Sequence, residues 1–279
     1  TLLNVIGPGE SFATPRHRYR YGTVEISSLG TSAGKRLSVV NVLDMSSYLK
    51  GIAEVPASWP APALDAQTIA SRSYALAKYN AGVRAACDCH MDDGGGPYFD
   101  QTFHAYAVES GPSGSRWVQS VQRTSSGTTG TVVTYQGQPI PAFYTAATGG
   151  RTQSSSDVWG GAGYPWARGV DDRWSTTVTG NPYKSWSVTA SQARMGQIFG
   201  VSDIMTVQVS ATLDSGAAGT VTAKTYDGRS SSVSGTSFRS ALGLRSTYLI
   251  GVSSDQGSGS GGTSPSPTPG PSQPTGEPV

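Results

Sequence analysis

Glutamate is scarce in this chain of 279 residues, where only Glu10, Glu25, Glu54, Glu109 and Glu277 occur. Glu54 stands out. It lies between a strand-like run and the start of a small-residue helix, in YLKGIAEVPASWPAPALDAQTIASRSYAL from Tyr48 to Leu76. A carboxylic acid in such a place can protonate a leaving oxygen, provided that burial against apolar groups raises its pKa enough to keep it an acid near neutral pH. Val55, Trp59, Phe143 and Tyr144 are the candidates for that apolar wall. Against this, the dipole of a following helix favours the charged form, and Glu54 could equally cap the helix or enter an ion pair. A second cluster is Cys87, Cys89 and His90, in the order C-x-C-H, with His104 fourteen residues beyond His90. Two cysteines and two histidines make a zinc set, although C-x-C is tighter than the usual spacing. A strained Cys87–Cys89 disulfide and free thiols stay open as alternatives. A metal there would be structural, and acid/base chemistry at Glu54 needs no cofactor. A serine hydrolase is excluded on motif grounds, since GPSGS at 111–115 is not a G-x-S-x-G elbow between strand and helix.

The elements that must position these residues follow from pattern and composition. Only 14% of residues are charged, and 36 glycines accompany 13 tyrosines and 6 tryptophans. This suits a β-rich extracellular chain with short strands joined by turns, and not a helical bundle. The net charge of +2 is too small to argue for nucleic acid. No apolar run approaches the ~20 residues that span a bilayer. Strands are expected at 19–29, 35–43, 205–212, 219–226 and near 248–252, with a hairpin turning at Gln136–Gly137. A short helical turn is expected at 45–50. A longer helix is expected from about Ala61 to Tyr79, capped by Ser58 and stopped at Gly82, with Ala66, Ala70, Ser73 and Ala77 as a narrow stripe against a sheet. A further helix is expected at 190–199. The fold class is therefore α+β: a single β-rich domain over residues 1–252, with a few helices packed on its sheets. Residues 253–279 end in TSPSPTPGPSQPTGEPV and should form a disordered Pro/Gly/Ser-rich tail that leads towards another module.

Four stretches, in order, resemble one family of bacterial cell-wall proteins, the stage II sporulation protein D and amidase-enhancer family. They are Tyr48–Leu76, PAFYTAATGG at 141–150, SDVWGGAGYPWARGV at 156–170 and GTSFRSALGLRSTYL at 235–249. The resemblance implies a lytic transglycosylase that cleaves the peptidoglycan glycan strand to 1,6-anhydromuramyl ends, outside the cell and associated with the wall. E-V-P-A-S-W-P matches the family's E-M-P-A-S-W-P, so the catalytic role passes to Glu54. The resemblance also points to Arg72, which would orient Glu54 or bind a sugar acetamide or lactyl group, unless it merely pairs with a sheet carboxylate. In the third block Asp157 and Trp159 would offer a polar group and a stacking face for sugar, or else serve as a turn aspartate and a core tryptophan. Tyr144, Thr145, Thr148, Gly149 and Gly150 form a loop whose glycines would let a ligand approach the backbone. The loop departs from the family pattern, with Thr145 where the family has histidine and Ala147 and Thr148 where it has serines. Some members bind zinc through a loop equivalent to Cys87–His104. The partners implied are glycan strands and a wall amidase. The alternative function is a non-catalytic glycan-binding module that stimulates such an amidase.

Overall fold

A computed structural model describes residues 3–5, 17–31, 34–93, 99–126, 129–145 and 147–252. The expected tail at 253–279 lies outside the described residues. The fold mixes helices and sheets, as the α+β class requires. Its elements run β1 (Leu3–Val5), β2 (His17–Tyr19), β3 (Thr23–Thr31), β4 (Gly34–Val42), α1 (Met45–Lys50), α2 (Ala61–Asn80), α3 (Tyr106–Ser110) and α4 (Gly114–Arg123). Then come β5 (Ser125–Ser126), β6 (Thr129–Gly130), β7 (Thr134–Tyr135), β8 (Gln138–Pro139), α5 (Ser155–Trp159) and α6 (Trp174–Thr177). The series closes with α7 (Gln192–Phe199), β9 (Ile204–Thr212), β10 (Ala218–Thr225), β11 (Ser230–Ser234) and α8 (Gly235–Leu242). No helix among the described residues is long and apolar enough to cross a membrane.

The chain divides into two compact units, one of residues 1–146 and 165–167, the other of 147–164 and 168–279. Each has its own core, whereas the sequence suggested one domain across 1–252. In the first unit, β3 and β4 form an antiparallel hairpin with Thr23 opposite Val42 and Thr31 opposite Gly34. Asp44 caps α1 by accepting from the Ser47 N–H at 2.9 Å. Leu49 and Ile52 then pack with Leu64 of α2 and with Trp117 and Val121 of α4. The Trp117 indole N–H donates to the Leu49 carbonyl at 2.8 Å, so the largest buried ring also satisfies a backbone acceptor.

Helix α2 begins where expected, but Ser58 does not cap it: Pro60 is the cap residue and no side chain bonds there. Its buried residues are Leu64, Thr68, Ser71, Arg72, Ser73 and Ala75; of the expected stripe Ser73 is therefore buried, while Ala66 is exposed. That face meets α1 and α4 and also short strands, with the Ser73 hydroxyl accepting from Val133 N–H at 2.8 Å beside the β7–β8 hairpin. Small polar residues permit the approach: the Thr68 and Ser120 hydroxyls, one on α2 and one on α4, lie 3.1 Å apart. The β7–β8 hairpin turns at Gln136 and Gly137, with φ of 50° and 79°, as the sequence proposed.

In the second unit β9, β10 and β11 form an antiparallel sheet in the order β11-β10-β9. Phe199 of α7 and Phe238 of α8 pack over Val221 and Ala223 of β10. Ser191 and Ser234 cap these two helices through the amides of Arg194 and Ser237. The strand expected near 248–252 does not form; instead the Thr247 carbonyl accepts from the Ala218 N–H at 2.8 Å.

Candidate active site

Glu54 sits at the end of a short antiparallel ladder. Ala53 N–H donates to the Thr102 carbonyl at 2.9 Å, His104 N–H to the Gly51 carbonyl at 2.8 Å, and Ile52 bridges Phe103. The next amide, Thr102 N–H, donates to Glu54 Oε1 at 2.6 Å. The side chain thus takes the place of the next backbone acceptor, which fixes one carboxylate oxygen by the register of the ladder. Glu54 caps no helix, because α2 starts at Ala61 with Pro60 as its cap.

A relay of donors ends on the Tyr144 phenol, which partners the same carboxylate. The Tyr48 hydroxyl donates to Gln101 Oε1 at 2.9 Å, and Gln101 Nε2 donates to the Tyr144 hydroxyl at 3.0 Å. Gln67 Nε2 donates to the Ser71 hydroxyl at 3.1 Å, and Ser71 in turn hydrogen-bonds the Tyr144 oxygen. With its oxygen receiving these bonds, Tyr144 directs its own proton to Glu54. Burial around the phenol is the largest cause that holds the Tyr144 pKa well above its ordinary value, with the negative field of Glu54 adding to it, although 36% of the residue's surface is exposed. Burial does the same to Tyr48 and Tyr74. These phenols therefore keep their protons across the neutral range and remain donors. Of the proposed apolar wall, Val55 packs on the core beside Ile52, while Trp59 and Phe143 are exposed.

Close to this network, and on the same loop as Gln101 and Thr102, lies a buried ionic knot. The Asp100 carboxylate accepts from Tyr74 at 3.2 Å and from Asp92 N–H at 2.9 Å, pairs with Lys78 at 3.0 Å and is bonded by Arg84. Burial alone would raise its pKa; the Asp92 amide, Arg84 and Lys78 outweigh burial and hold it below the ordinary value.

Arg72 is placed differently from either expectation. Its guanidinium neither meets Glu54 nor pairs with a carboxylate among the described residues. It donates to the Thr131 carbonyl at 2.8 Å and to the Thr124 and Ser125 hydroxyls at 3.0 and 3.1 Å. Gly130 lies flat on it: a Cβ there would stand 2.5 Å from Arg72 Nε. Arg72 is a clamp between α2 and the β5–β6 hairpin.

Thr145 is exposed beside Tyr144. The other loop candidates belong to the second unit and have partners within it. Thr148 donates to Asp172 Oδ2 at 2.6 Å, and the Ser175 hydroxyl accepts from the amides of both Thr148 and Gly149 at 3.0 Å. A Cβ on Gly149 would fall 2.5 Å from the Tyr248 ring, so this glycine makes room for an aromatic of its own chain. Gly150 has φ of 109°, which favours glycine. Asp157 lies in the first turn of α5, and Trp159 ends that helix. The reading of Trp159 as a core tryptophan is overturned: it is 59% exposed, edge-on to Tyr164 at 6.3 Å.

The cysteine cluster takes the disulfide alternative, Cys87 to Cys89. Bridged sulfurs are not thiolate ligands, so this pair does not suit zinc. His90 stacks at a tilt on Tyr79 at 4.7 Å, and His104 meets His17 edge-on at 6.3 Å. No group of three or more metal-ligating residues occurs among the described residues.

Gln67, Ser71 and Gln101 escaped the reading of the sequence. Gln67 and Ser71 carried a signal, lying one helical turn apart inside the block that contains Arg72. Gln101 carried none, since neither motif nor period surrounds it.

An α+β fold that brings a backbone amide and a phenol to one carboxylate, with a glutamine and a serine bonded to that phenol, has the geometry of an acid/base or ligand-orienting centre. Residues 33–135, which hold all of this network but Tyr144, match the family model described as Stage II sporulation protein. The chain is also 31% identical over 149 residues to an amidase enhancer of Bacillus subtilis (strain 168), an alignment covering 53% of this chain and 17% of that protein. An uncharacterized protein of Brachyspira hyodysenteriae (strain ATCC 49526 / WA1) is 30% identical over 134 residues, covering 47% of this chain and 33% of the relative. The alignments thus span a third or less of either relative's length. These findings bear out the resemblance to the stage II sporulation protein and amidase-enhancer family, and they support a cell-wall-related role.

Proposed function

We propose that this chain is a peptidoglycan lytic transglycosylase, acting outside the cell on wall glycan, with Glu54 as its acid and base. The supporting observation is the convergence of Thr102 N–H and the Tyr144 phenol on the Glu54 carboxylate. In the reaction Glu54 gives its proton to the glycosidic oxygen as the C1–O bond breaks. The muramyl 6-hydroxyl then attacks C1, and its proton returns to Glu54. The product is a 1,6-anhydromuramyl end, and no water is consumed. One carboxylate suffices because the nucleophile belongs to the substrate and is held at high effective concentration. The two donors hold the negative carboxylate that forms when its proton leaves, and they keep it aimed between the two steps. Glu54→Gln keeps the shape and removes the acid; it should abolish anhydromuramyl ends in a mass analysis of glycan fragments, with folding intact. Fragments at the native rate from this variant would defeat the proposal.

The second reading is a glycan-binding module that stimulates an amidase. It is favoured by the similarity to the amidase enhancer of Bacillus subtilis. It predicts unchanged glycan after incubation with the intact chain, together with faster turnover by an added wall amidase.

A further inference from the structure

The Cys87–Cys89 bridge lies just beyond α2, on the way to the segment that bonds Glu54. Both backbone polar groups of Arg84 end on its two cysteines: the Arg84 carbonyl accepts from Cys87 N–H at 3.2 Å, and Arg84 N–H donates to the Cys89 carbonyl at 3.0 Å. The bridge closes this tight return across Asp88, whose φ of 53° lies in a region that residues with a side chain enter uncommonly. The outer side of the turn is pinned as well. The Cys87 carbonyl accepts from the Ser38 hydroxyl of β4 at 3.1 Å, and the Ala86 carbonyl accepts from Arg36 at 3.0 Å. From this fixed backbone the Arg84 guanidinium reaches Asp100, whose side chain is 3% exposed. Gln101 and Thr102 follow Asp100 directly, and they bond the Tyr144 phenol and Glu54 Oε1. An unbroken series of bonds thus runs from the two sulfurs to the carboxylate.

We propose that the bridge positions the Glu54 carboxylate through Arg84 and Asp100, so that the acid is competent only while Cys87 and Cys89 are oxidised. Without the bridge nothing covalent holds Asp88 at positive φ. The turn then opens, the Arg84–Cys89 pairing is lost, and the guanidinium is no longer held against Asp100. In forming the bridge each thiol gives up a proton and an electron, and an oxidant of the disulfide class takes them as its own S–S bond is reduced to two thiols. A dithiol reverses the exchange. One of its thiolates attacks Cys89, because Cys87 is buried and Cys89 only partly so; Cys87 leaves as the thiolate, and the second thiol of the reagent then frees Cys89. Cell interiors keep such pairs reduced, whereas exported chains are oxidised. The consequence for glycan cleavage rests on the proposed function, but the link from the bridge to the Thr102 amide does not.

The test compares the full chain before and after treatment with dithiothreitol, with a chelator present so that the freed thiols take up no metal. Two quantities are read: the NMR shift of the Thr102 amide, and kcat and KM for release of anhydromuramyl ends. Reduction should move the Thr102 amide upfield as its bond to Glu54 lengthens, and reoxidation should restore it. It should lower kcat by about tenfold, the scale of one charge-assisted hydrogen bond lost at the carboxylate, with KM little changed. A chain with Cys87→Ser and Cys89→Ser should match the reduced protein and ignore the reagent. In an Arg84→Gln chain reduction should add little further, because the link is already cut; an undiminished effect there would overturn the route through Arg84. An unmoved Thr102 amide, an unchanged kcat, or a loss that merely follows the unfolded fraction would overturn the proposal. A Thr102 amide that follows the redox state in a chain that never releases anhydromuramyl ends would support the latch and defeat the glycan reading, so the two can fail separately.

Discussion

Tyr144→Phe removes one oxygen from the centre of the relay, and two separable effects follow from the bonds that oxygen makes. Glu54 loses a charge-assisted hydrogen bond, worth about 1.5–3 kcal/mol. If the bond acts fully in the transition state, turnover should fall by about 10- to 150-fold. Gln101 loses the acceptor for its Nε2, and it is 1% exposed, so water does not readily replace the missing partner. An orphaned buried donor costs about 1–3 kcal/mol of stability. The rate effect is read from the release of anhydromuramyl ends under saturating glycan. The stability effect is read from denaturant unfolding in the absence of glycan. Tyr48→Phe serves as the control, since it removes a donor at the far end of the same relay and leaves the Glu54 contact in place. It should reproduce much of the stability loss with little of the rate loss. A Tyr144→Phe chain that turns over within about threefold of the parent would refute the role given to the phenol, and equal rate losses in the two variants would show that the relay acts through packing alone.

Arg72→Met should destabilise the first unit by about 2–4 kcal/mol, less than the sum of three bonds because a buried charge is also relieved of its desolvation cost. Arg72→Lys should not rescue it, because one ammonium cannot reach three acceptors; unchanged stability with weakened glycan binding would restore Arg72 to the ligand site. Gly149→Ala should cost about 2–4 kcal/mol in thermal unfolding, from a φ of 73° and the collision with Tyr248, and Tyr248→Ala should recover only the second part. Asp100 titrates below its ordinary value of 3.8, so its contribution is present above that pH and is lost as the pH falls through the lowered value. A chain with Asp100→Asn should be less stable at neutral pH but show a shallower stability decline below about pH 4, measured by denaturant melts across pH.

The readable parts of this molecule were those fixed locally. The helical turn at 45–50, the start of α2 near Ala61 and the Gln136–Gly137 turn between two strand-like runs depend on residues within a few positions of the structure they determine. Glu54 was found because glutamate is rare here and its surrounding motif is specific. The Ser58 cap of α2 was a local failure; the others were long-range. Arg72 looked like a binding residue because nothing in α2 reveals that the chain returns through Gly130 and Thr131 to accept its guanidinium. Of the expected stripe Ser73 is buried, but Thr68 and Ser71 beside it were passed over, and pairing of Thr68 with Ser120 on α4, a long-range contact, makes their burial tolerable. The Tyr248–Val252 run had the composition of a strand but no neighbouring edge claimed it.

Thr102 offers both its carbonyl, to Ala53, and its amide, to Glu54. The acid is therefore wired into the same pairing that defines correct local folding. A slip of one residue between the 51–54 and 102–104 segments would turn every side chain to the opposite face and sever the Thr102–Glu54 link in the same event. On the proposed function, an unfolded or misregistered chain carries no armed acid. Cutting power arrives only with the finished ladder, so a faulty copy is inert and poses no hazard to the wall that surrounds the cell producing it.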